Sequence, residues 1–431
     1  MKFLSIQEAI KKAKGDVLVR GWIYRERKSN KFMFLVLRDS SNIIQCILEK
    51  SNVSNKIWEA AKKLLIESSV EITGEIKKER RAPMGYEIKI KGLKVVNYAE
   101  KYPITKDQST EFLADNRHLW IRSRKMISVL KIRSTIFGAI HEFFRKKNYY
   151  EFHSPIIIPG GAEEGPTLFE IKYFDQKMYL TQTWQLYAEA AMFALEKIYT
   201  IAPSFRAEKS KTSRHLTEYW HAEVEVAWFN LFELLDLAEG LIKYVLTKVL
   251  KENKEDLKIL GRDIKKLQPS LNKKFPKITY TEALRLLKEK KKINIKWGKD
   301  LRTIEEEKLM ELFDTPVFVT HYPKEAMAFY KPRDPNNPEI AVCFDMLGPE
   351  GHGEIMGGSE RDMDLNELIA TLKKKGEKIE DYGYYLDTRK YGSIPHAGFG
   401  MGVERLVKWI CNLENIKDAI GFPRTMARSN P

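Results

Sequence analysis

The sequence predicts an α+β protein with two domains, a small β-barrel followed by a larger domain of mixed helices and strands. Three observations lead to this prediction. The chain has 431 residues, more than one hydrophobic core usually organises. Short alternating runs fill its first hundred residues. A long amphipathic pattern begins at residue 127, and further strand-like and helical patterns follow it.

The first domain is predicted at residues 1–100. Apolar and polar residues alternate in five runs, and one helical pattern lies between the third and the fourth. The runs are residues 17–24, 32–37, 43–48, 70–76 and 87–95, and the helical pattern is 58–66. Five short strands with a helix after the third favour a barrel of the OB type. A hinge or linker is predicted at residues 101–125.

The second domain is predicted at residues 126–431. An amphipathic helix over residues 127–147 begins it, with its apolar residues on one face. Strand patterns follow, and then a mainly helical, Lys-rich insertion at about 232–312. Strand patterns resume at Val317 and end in a glycine-rich stretch.

The amino-acid composition limits the classes of protein to which the chain can belong. The net charge is +15, and residues 1–100 hold 21 Lys and Arg against 12 Asp and Glu. This excess favours a polyanionic partner, although solvated lysine faces are the alternative. The three cysteines lie far apart, so the sequence indicates neither a disulfide framework nor a cysteine-rich zinc site. No apolar run has the length of a membrane span, and we expect a cytoplasmic protein without a membrane partner.

Residues 398–405, Gly-Phe-Gly-Met-Gly-Val-Glu-Arg, place a glycine at every second position of a strand-like stretch. This spacing removes the side chains from one face, and glycine inside a strand often marks the close approach of a ligand or another backbone. Arg405 at the end of the stretch can clamp a phosphate. The pattern favours a platform for a flat nucleotide, and a glycine-rich strand packed under a helix is the alternative.

A second charged segment lies in the middle of the chain. Arg206 and Glu208 share one face of a strand pattern, and Arg214, His215 and Tyr219 follow after a short polar loop. A hairpin would bring these side chains over a single site. The pair of Arg206 and Glu208 alone would indicate a surface ion pair. The second arginine and the glycine stretch together favour a phosphate-binding site.

These segments resemble the three signature motifs of class II aminoacyl-tRNA synthetases. Pro155 would close the first motif, residues 206–219 would form the second, and residues 398–405 the third. The resemblance covers nearly the whole chain, and an OB barrel before the catalytic domain is similar to subclass IIb, the aspartyl, asparaginyl and lysyl enzymes. It implies a six-stranded antiparallel sheet flanked by helices, and a homodimer formed through the first motif.

The resemblance implies ATP as a substrate. Arg206 would hold the α-phosphate and the amino-acid carboxylate, Glu208 would approach the adenine amino group, and Tyr219 would stack on adenine opposite Arg405. The remaining basic residues would steer the β- and γ-phosphates, since the reaction must align two anions and neutralise charge. The implied ATP-binding set is Arg206, Glu208, Arg214, His215, Leu216, Tyr219, Glu354, Gly402 and Arg405, and the implied catalytic residues are Arg206, Glu208 and Arg405.

An acidic, glycine-rich segment at residues 343–361 resembles the metal site of the same family. A triphosphate with a leaving pyrophosphate needs a hard divalent cation held by carboxylates. The resemblance implies Mg²⁺ bound by Asp345 and Glu354, with Ser359 assisting. A glycine-rich turn with scattered acids is the alternative.

The segments look most like the asparaginyl branch of archaeal and eukaryotic type, which implies L-asparagine as the amino acid. Aspartyl enzymes carry a lysine where this chain has Ala188, and a buried aspartate would need that cation. Glu223 would repel an acid and accept a hydrogen bond from an amide. Arg361 would meet the side-chain oxygen, and Glu163 or Glu164 would bind the α-amino group from a mobile lid at residues 160–167. The implied amino-acid-binding set is Glu163, Gln185, Arg206, His221, Glu223, Ser359 and Arg361.

In the predicted barrel, Phe34 and Gln45 have the spacing of the subclass anticodon site. The aromatic ring would stack on the central uracil and the glutamine would bind its edge, as in other readers of single-stranded RNA loops. Arg25 and Glu87 are further candidate contacts. The implied partner is tRNA-Asn, and a core position for Phe34 is the alternative.

The expected activity is that of an asparagine–tRNA ligase. It would form asparaginyl-adenylate and pyrophosphate and then esterify the terminal ribose of tRNA-Asn. An aspartyl enzyme, strict or relaxed toward its tRNA, and an asparagine synthetase on the same fold are the enzymatic alternatives. A non-catalytic RNA-binding module is the alternative from another class.

Overall fold

The structure is a computed structural model that describes residues 2–161, 168–208 and 214–431. The chain divides into two compact units, Met1–Asn116 and Arg117–Pro431. Residues 101–125, the predicted linker, are therefore shared between the two units.

The first unit is built around a closed barrel of five strands, as the sequence predicted. Its elements are α1 (Ile6–Lys12), β1 (Gly15–Lys28), β2 (Phe32–Arg38), β3 (Ile43–Glu49), α2 (Asn55–Lys62), β4 (Ser69–Lys78), β5 (Tyr86–Asn97) and α3 (Thr110–Asp115). The strand order is β1-β2-β3-β5-β4, and β3 and β5 run parallel. Helix α1 was not predicted, although Ser5 and Glu8 form the capping box that begins it.

The second unit carries the remaining elements. Its helices are α4 (Arg117–Trp120), α5 (Arg124–Lys146), α6 (Gln185–Leu195), α7 (Leu231–Glu252), α8 (Lys254–Ile259), α9 (Gln268–Asn272), α10 (Tyr280–Lys291), α11 (Thr303–Met310), α12 (Leu365–Lys374), α13 (Gly383–Lys390) and α14 (Val403–Cys411). Its strands are β6 (Tyr150–Glu151), β7 (Ile157–Ile158), β8 (Glu170–Tyr173), β9 (Gln176–Leu180), β10 (Lys197–Phe205), β11 (Glu218–Ala227), β12 (Lys277–Thr279), β13 (Val317–Thr320), β14 (Cys343–Gly348), β15 (Gly353–Glu360) and β16 (His396–Gly402).

The main sheet of this unit has eight strands in the order β12-β13-β14-β15-β16-β11-β10-β6. Its six inner strands are antiparallel, which agrees with the predicted architecture. The short edge strands β12 and β6 pair in parallel with their neighbours and raise the number from six to eight. Strands β7, β9 and β8 form a separate small sheet.

The two faces of the main sheet differ in character. One face packs against α5, α7 and α14 in a shared hydrophobic core. Its core residues on the central strands include Ala222, Val224, Val226, Phe344, Met346, Met356, Ala397, Phe399 and Met401. Because successive side chains of a strand point to opposite faces, the polar residues between them lie on the other face. His221, Glu223 and Glu225 of β11 and Asp345 of β14 are therefore brought together there.

Among the described helices, none is both long and apolar enough to cross a lipid bilayer.

Candidate active site

Two adjoining pockets lie over the polar face of the main sheet. The first, which we name the nucleotide pocket, is lined by Arg206, Arg214, His215, Leu216, Tyr219, His221, Glu354, Ile355, Gly400, Gly402, Glu404, Arg405 and Ile416. It contains all of the predicted ATP-binding residues except Glu208. Glu208 lies beside it, with its carboxylate 3.7 Å from the Arg206 guanidinium and 3.5 Å from the ring of His215.

The second, which we name the amino-acid pocket, is lined by Thr183, Trp184, Gln185, Arg206, His221, Glu223, Val224, Glu225, Tyr330, Lys331, Asp345, Glu354, Gly357, Gly358, Arg361, Phe399 and Gly400. Arg206, His221, Glu354 and Gly400 line both pockets. Arg206 therefore lies at the junction of the two pockets.

Three arginines line the nucleotide pocket, and each has a carboxylate close by. Arg405, at the start of α14, donates to the Glu354 carboxylate over 2.8 Å and to its carbonyl oxygen over 3.2 Å. Arg214 forms an ion pair with Glu306 of α11 over 2.9 Å. Burial would raise the pKa of Glu354, but the positive charge of Arg405 and of the other two arginines lowers it to about 2.

The guanidinium of Arg206 lies 5.8 Å from the centre of the Tyr219 ring. An arginine near the face of an aromatic ring is a favourable arrangement, and a flat base can be inserted beside the same ring. Tyr219 belongs to β11 and pairs with Ser204 of β10, so the predicted hairpin does bring the two motif residues together.

Glu223 lies at the base of the amino-acid pocket. Its carboxylate accepts hydrogen bonds from the hydroxyl of Thr183 and, over 3.0 Å, from the backbone N–H of Trp184. Burial raises its pKa to about 7. Each carboxylate oxygen has a second lone pair, so Glu223 can accept one more bond from a ligand amide.

Arg361 and Glu225 form a buried pair with two parallel bonds, 2.8 Å from Nε and 2.9 Å from Nη2. The third arm of Arg361 donates to the hydroxyl of Ser359 over 2.7 Å. A guanidinium held in this way presents a fixed edge, and most of its charge is balanced by Glu225. The structure therefore places Ser359 beside Arg361, outside the set of residues that lines either pocket.

A second layer of charges fixes the same region. Glu189 of α6 accepts hydrogen bonds from Gln185 over 2.8 Å, from Arg389 over 2.5 Å and from His396 over 3.2 Å. Glu189 also lies 3.7 Å from Arg361. Gln185 is thus held by Glu189, and it lines the amino-acid pocket.

Ala188, one turn of helix after Trp184, is fully buried and belongs to an apolar cluster with Trp184, Met192 and Ile198. A lysine at this position would have to displace well-packed side chains. Trp184 packs in the same cluster, and its indole N–H donates to the carbonyl of Phe152 over 2.9 Å.

His221 lies between the two pockets. Burial, with the nearby charges of Arg206 and Arg405, lowers its pKa to about 3, so the ring is neutral at physiological pH. Its Nδ1 atom lies 3.4 Å from the Glu223 carboxylate.

The glycines of β16 leave room for the side chains of β11. A Cβ atom on Gly400 would lie 2.5 Å from Nε2 of His221, and one on Gly398 would lie 2.2 Å from the Glu225 carboxylate. Real Cβ atoms do not approach so closely, and a Cβ atom on Gly398 would also lie 2.4 Å from the carbonyl oxygen of Val224, so a side chain at either position would displace its neighbours. Gly398 and Gly400 thus admit protein side chains from β11, and of the glycines in this strand only Gly400 and Gly402 line the nucleotide pocket.

The predicted metal ligands Asp345 and Glu354 both line the amino-acid pocket. Burial and the nearby charge of Glu354 raise the pKa of Asp345 to about 8. Two acids that oppose each other's ionisation in a confined site form a donor set that suits a hard divalent cation. Ser359, the third predicted ligand, is engaged by Arg361 instead.

Some predicted features lie outside the described residues. Glu163, Glu164 and most of the predicted lid fall in 162–167, and part of the loop after Glu208 falls in 209–213.

Sequence reasoning missed several residues of the site. Tyr330 and Lys331 line the amino-acid pocket, and the Arg361 guanidinium lies 5.3 Å from the centre of the Tyr330 ring. They lie between two strands in a segment without a periodic pattern, so no local signal marked them. Glu306 belongs to the insertion, to which the sequence assigned no role.

The four predicted anticodon residues share one face of the barrel strands, on which Arg25 is exposed and Glu87 is buried, at 3% exposure, beside Lys77. Arg25 pairs with Val36, Val36 with Gln45, and Gln45 with Glu87, in one row across four strands. Gln45 donates to Glu87 over 3.1 Å. Phe34 lies two residues before Val36 on the same strand face, between core-facing neighbours, and is half-buried rather than part of the core.

Comparison with known proteins agrees with both units. Residues 109–426 match the family model described as tRNA synthetases class II (D, K and N). Residues 17–96 match the model described as OB-fold nucleic acid binding domain.

Individual relatives cover the whole chain. An asparagine–tRNA ligase of Thermoplasma acidophilum is 46% identical over 99% of this chain and 100% of the relative. One from Lactobacillus johnsonii is 42% identical over 100% of both chains. The crystal structure of asparaginyl-tRNA synthetase from Pyrococcus horikoshii complexed with asparaginyl-adenylate is 42% identical, covers 100% of both chains and has a TM-score of 0.96. The chain therefore belongs to the class II tRNA synthetases of the D, K and N group and, within it, to the asparagine–tRNA ligase family.

Proposed function

We propose that the protein activates L-asparagine with ATP and transfers it to tRNA-Asn. A carboxylate oxygen of asparagine attacks the α-phosphorus of ATP, and pyrophosphate leaves. A ribose hydroxyl at the 3′ end of the tRNA then attacks the carbonyl carbon of the adenylate, and AMP leaves. The observation that carries this proposal is the position of Arg206 at the junction of the two pockets, where it can hold both reacting anions.

In the nucleotide pocket, Arg206 would bind the α-phosphate and Tyr219 would stack on adenine, with Glu208 near the exocyclic amino group. Arg214, His215 and Arg405 would bind the outer phosphates, and Leu216 and Gly402 would shape the pocket wall. Three guanidinium groups in a partly enclosed site can stabilise the charge that develops on the leaving pyrophosphate.

Magnesium fits the carboxylates of the site. Asp345 and Glu354 would hold Mg²⁺, which supplies a hard positive charge to the triphosphate when it is bound. The mutual effect of the two acids on ionisation supports this assignment. Ser359 supports the site through Arg361, and it belongs to the proposed ligand set only if that bond rearranges.

In the amino-acid pocket, Arg361 would donate to the side-chain oxygen of asparagine and Glu223 would accept from its amide N–H. Gln185 and His221 would complete the pocket, and Glu163 would bind the α-amino group. Ala188 supplies no cation, Glu225 already balances Arg361, and the Glu223 carboxylate would repel a second substrate carboxylate. These contacts favour asparagine over aspartate.

The outer face of the barrel would read the anticodon. Phe34 would stack on the central base and Gln45 would bind its edge, with Arg25 and Glu87 as flanking contacts. This partner distinguishes the proposed function from asparagine synthesis, because a free amino-acid product needs no anticodon reader.

A homodimer through the first motif belongs to the same proposal. Near this motif Tyr150 is 60% exposed and Ile156 is 43% exposed, and β6 forms an edge of the main sheet. A second copy could cover these groups.

We expect the proposed activity in the cytoplasm, because it uses ATP and tRNA.

Pyrophosphate exchange tests the proposal without tRNA. We expect labelled pyrophosphate to enter ATP when L-asparagine is supplied. The Arg206→Ala variant should lose about 100- to 1,000-fold in kcat/KM, since one fixed charge donor contributes roughly 3–4 kcal/mol. Near-normal exchange by a folded Arg206→Ala protein would remove the proposed role of this residue.

A further inference from the structure

Glu306 of α11 connects two parts of the nucleotide pocket that are distant in sequence. Its Oε2 atom lies 2.9 Å from Nη2 of Arg214 and accepts the backbone N–H of Glu354 over 3.2 Å. Glu306 is only 9% exposed. One carboxylate oxygen of α11 therefore contacts both the arginine of the second motif and the backbone of the acidic segment at Glu354.

Arg214 is also packed against the same segment. Gly353 has a φ of +61°, and a Cβ atom there would lie 2.2 Å from Nη2 of Arg214. The guanidinium thus lies directly on the Gly353 backbone, where only glycine leaves room. Glu306 holds this packed pair from one side, through the guanidinium and through the next peptide N–H.

We propose that Glu306 is a positioning residue for ATP, which fixes the Arg214 guanidinium and the Gly353–Glu354 backbone in the arrangement that receives the outer phosphates. The inference rests on the proposed phosphate-binding role of Arg214. Arg214 is 8% exposed, and a buried guanidinium needs anions around it before ATP arrives. This contact would also give the helical insertion a role in ATP binding, since the Glu306 carboxylate belongs to α11.

The expected signature is a change specific to ATP. Glu306→Gln keeps the shape of the side chain and removes its charge. We expect the KM for ATP in asparagine-dependent pyrophosphate exchange to rise about tenfold, because a charge-assisted bond to Arg214 is lost. The KM for asparagine should change less than about twofold. A carboxylate that served only the stability of the fold would not separate the two constants.

Glu307 offers a matched control. It follows Glu306 on α11 and is half-buried, and its charge acts on Lys308 and Lys408 instead of on Arg214. Glu307→Gln should keep both KM values and the melting temperature of the wild type. If Glu306→Gln does not fold, Glu306→Asp keeps the charge with a shorter reach and should still raise the KM for ATP.

A double-mutant cycle tests whether Glu306 acts through Arg214. In an Arg214→Ala background, adding Glu306→Gln should raise the KM for ATP much less than it does in the wild type. A full tenfold effect in that background, or an unchanged or lower KM for ATP in the single variant, would overturn the inference. Failure of the wild type itself to exchange pyrophosphate with asparagine would instead contradict the proposed function.

Discussion

The two pockets that meet at Arg206 differ in the balance of the charged residues that line them. Among the described residues that line them, the nucleotide pocket has three arginines against two glutamates, whereas the amino-acid pocket has three cations against four carboxylates. The nucleotide pocket suits a triphosphate, and the carboxylates of the amino-acid pocket oppose the entry of a second substrate carboxylate.

The ion pairs differ in burial as well. In the nucleotide pocket the side chains of Arg405 and Glu354 are 21% and 35% exposed, while those of Arg361 and Glu225 are 4% and 1% exposed. A partly hydrated pair can exchange its partner for a ligand at little cost, whereas a buried pair loses much when one partner goes. The Arg405–Glu354 pair can therefore rearrange around a ligand. The Arg361–Glu225 pair, like the buried Arg214–Glu306 pair of the nucleotide pocket, is set before its ligand arrives.

The largest effect is expected from breaking the buried pair. Glu225→Gln leaves the Arg361 charge unbalanced and its guanidinium less well held. We expect kcat/KM for asparagine to fall about 100-fold, since breaking a buried charge pair costs roughly 2–5 kcal/mol. The ratio of aspartate to asparagine activity should rise, because a cation becomes available. Pyrophosphate exchange with each amino acid measures both quantities.

Glu218 provides the control for that experiment. It is an exposed carboxylate at the start of the same strand, and Glu218→Gln should behave as the wild type. An unchanged amino-acid preference in folded Glu225→Gln protein would show that Glu225 does not set the charge of the pocket.

A smaller effect is expected from the pH dependence of selectivity. Burial raises the pKa of Glu223 to about 7, so its carboxylate is ionised above that pH and protonated below it. Repulsion of aspartate is therefore present above pH 7 and is lost as the pH falls through that value. The preference for asparagine should decline by about tenfold between pH 8 and pH 6.

Glu223→Gln should weaken this dependence. The variant cannot ionise at this position, so its preference should be lower at high pH and should vary less with pH than that of the wild type. A wild-type preference that stays constant through pH 7 would argue against a repulsive role of Glu223.

The smallest effect on catalysis is expected from the barrel. Phe34→Ala should raise the KM for tRNA-Asn in aminoacylation by about tenfold, because base stacking on an aromatic ring contributes roughly 1–3 kcal/mol. Pyrophosphate exchange needs no tRNA and should be unchanged, which makes it an internal control. Equal loss in both assays would indicate a damaged fold instead of a lost RNA contact.

Much of the fold followed from alternation in the sequence. The five barrel strands were predicted because each presents a core-facing residue at every second position, as Met33, Leu35 and Leu37 do in β2. The edge strands β6 and β12 have two and three residues, too few for a period to be recognised. They depend on pairing with β10 and β13, which is a tertiary relation.

The candidate site was predicted where its residues fall in motifs, and missed where they act through contacts across the fold. Arg206, Tyr219 and Arg405 were identified from their spacing. Glu306 and Lys331 were not, because their roles depend on which distant residues the fold places beside them. The spacing of the glycines in β16 predicted a close approach of other groups. The groups that approach Gly398 and Gly400 are side chains of β11.

The most direct test of the amino-acid pocket is the ratio of kcat/KM for L-asparagine to that for L-aspartate in pyrophosphate exchange by the wild type, above pH 7. With Ala188 in place of a lysine and with Glu223 ionised, the pocket should prefer asparagine by at least about 100-fold, as expected when a substrate carboxylate must be buried beside a like charge. Equal activity with the two amino acids, or a preference for aspartate, would contradict it.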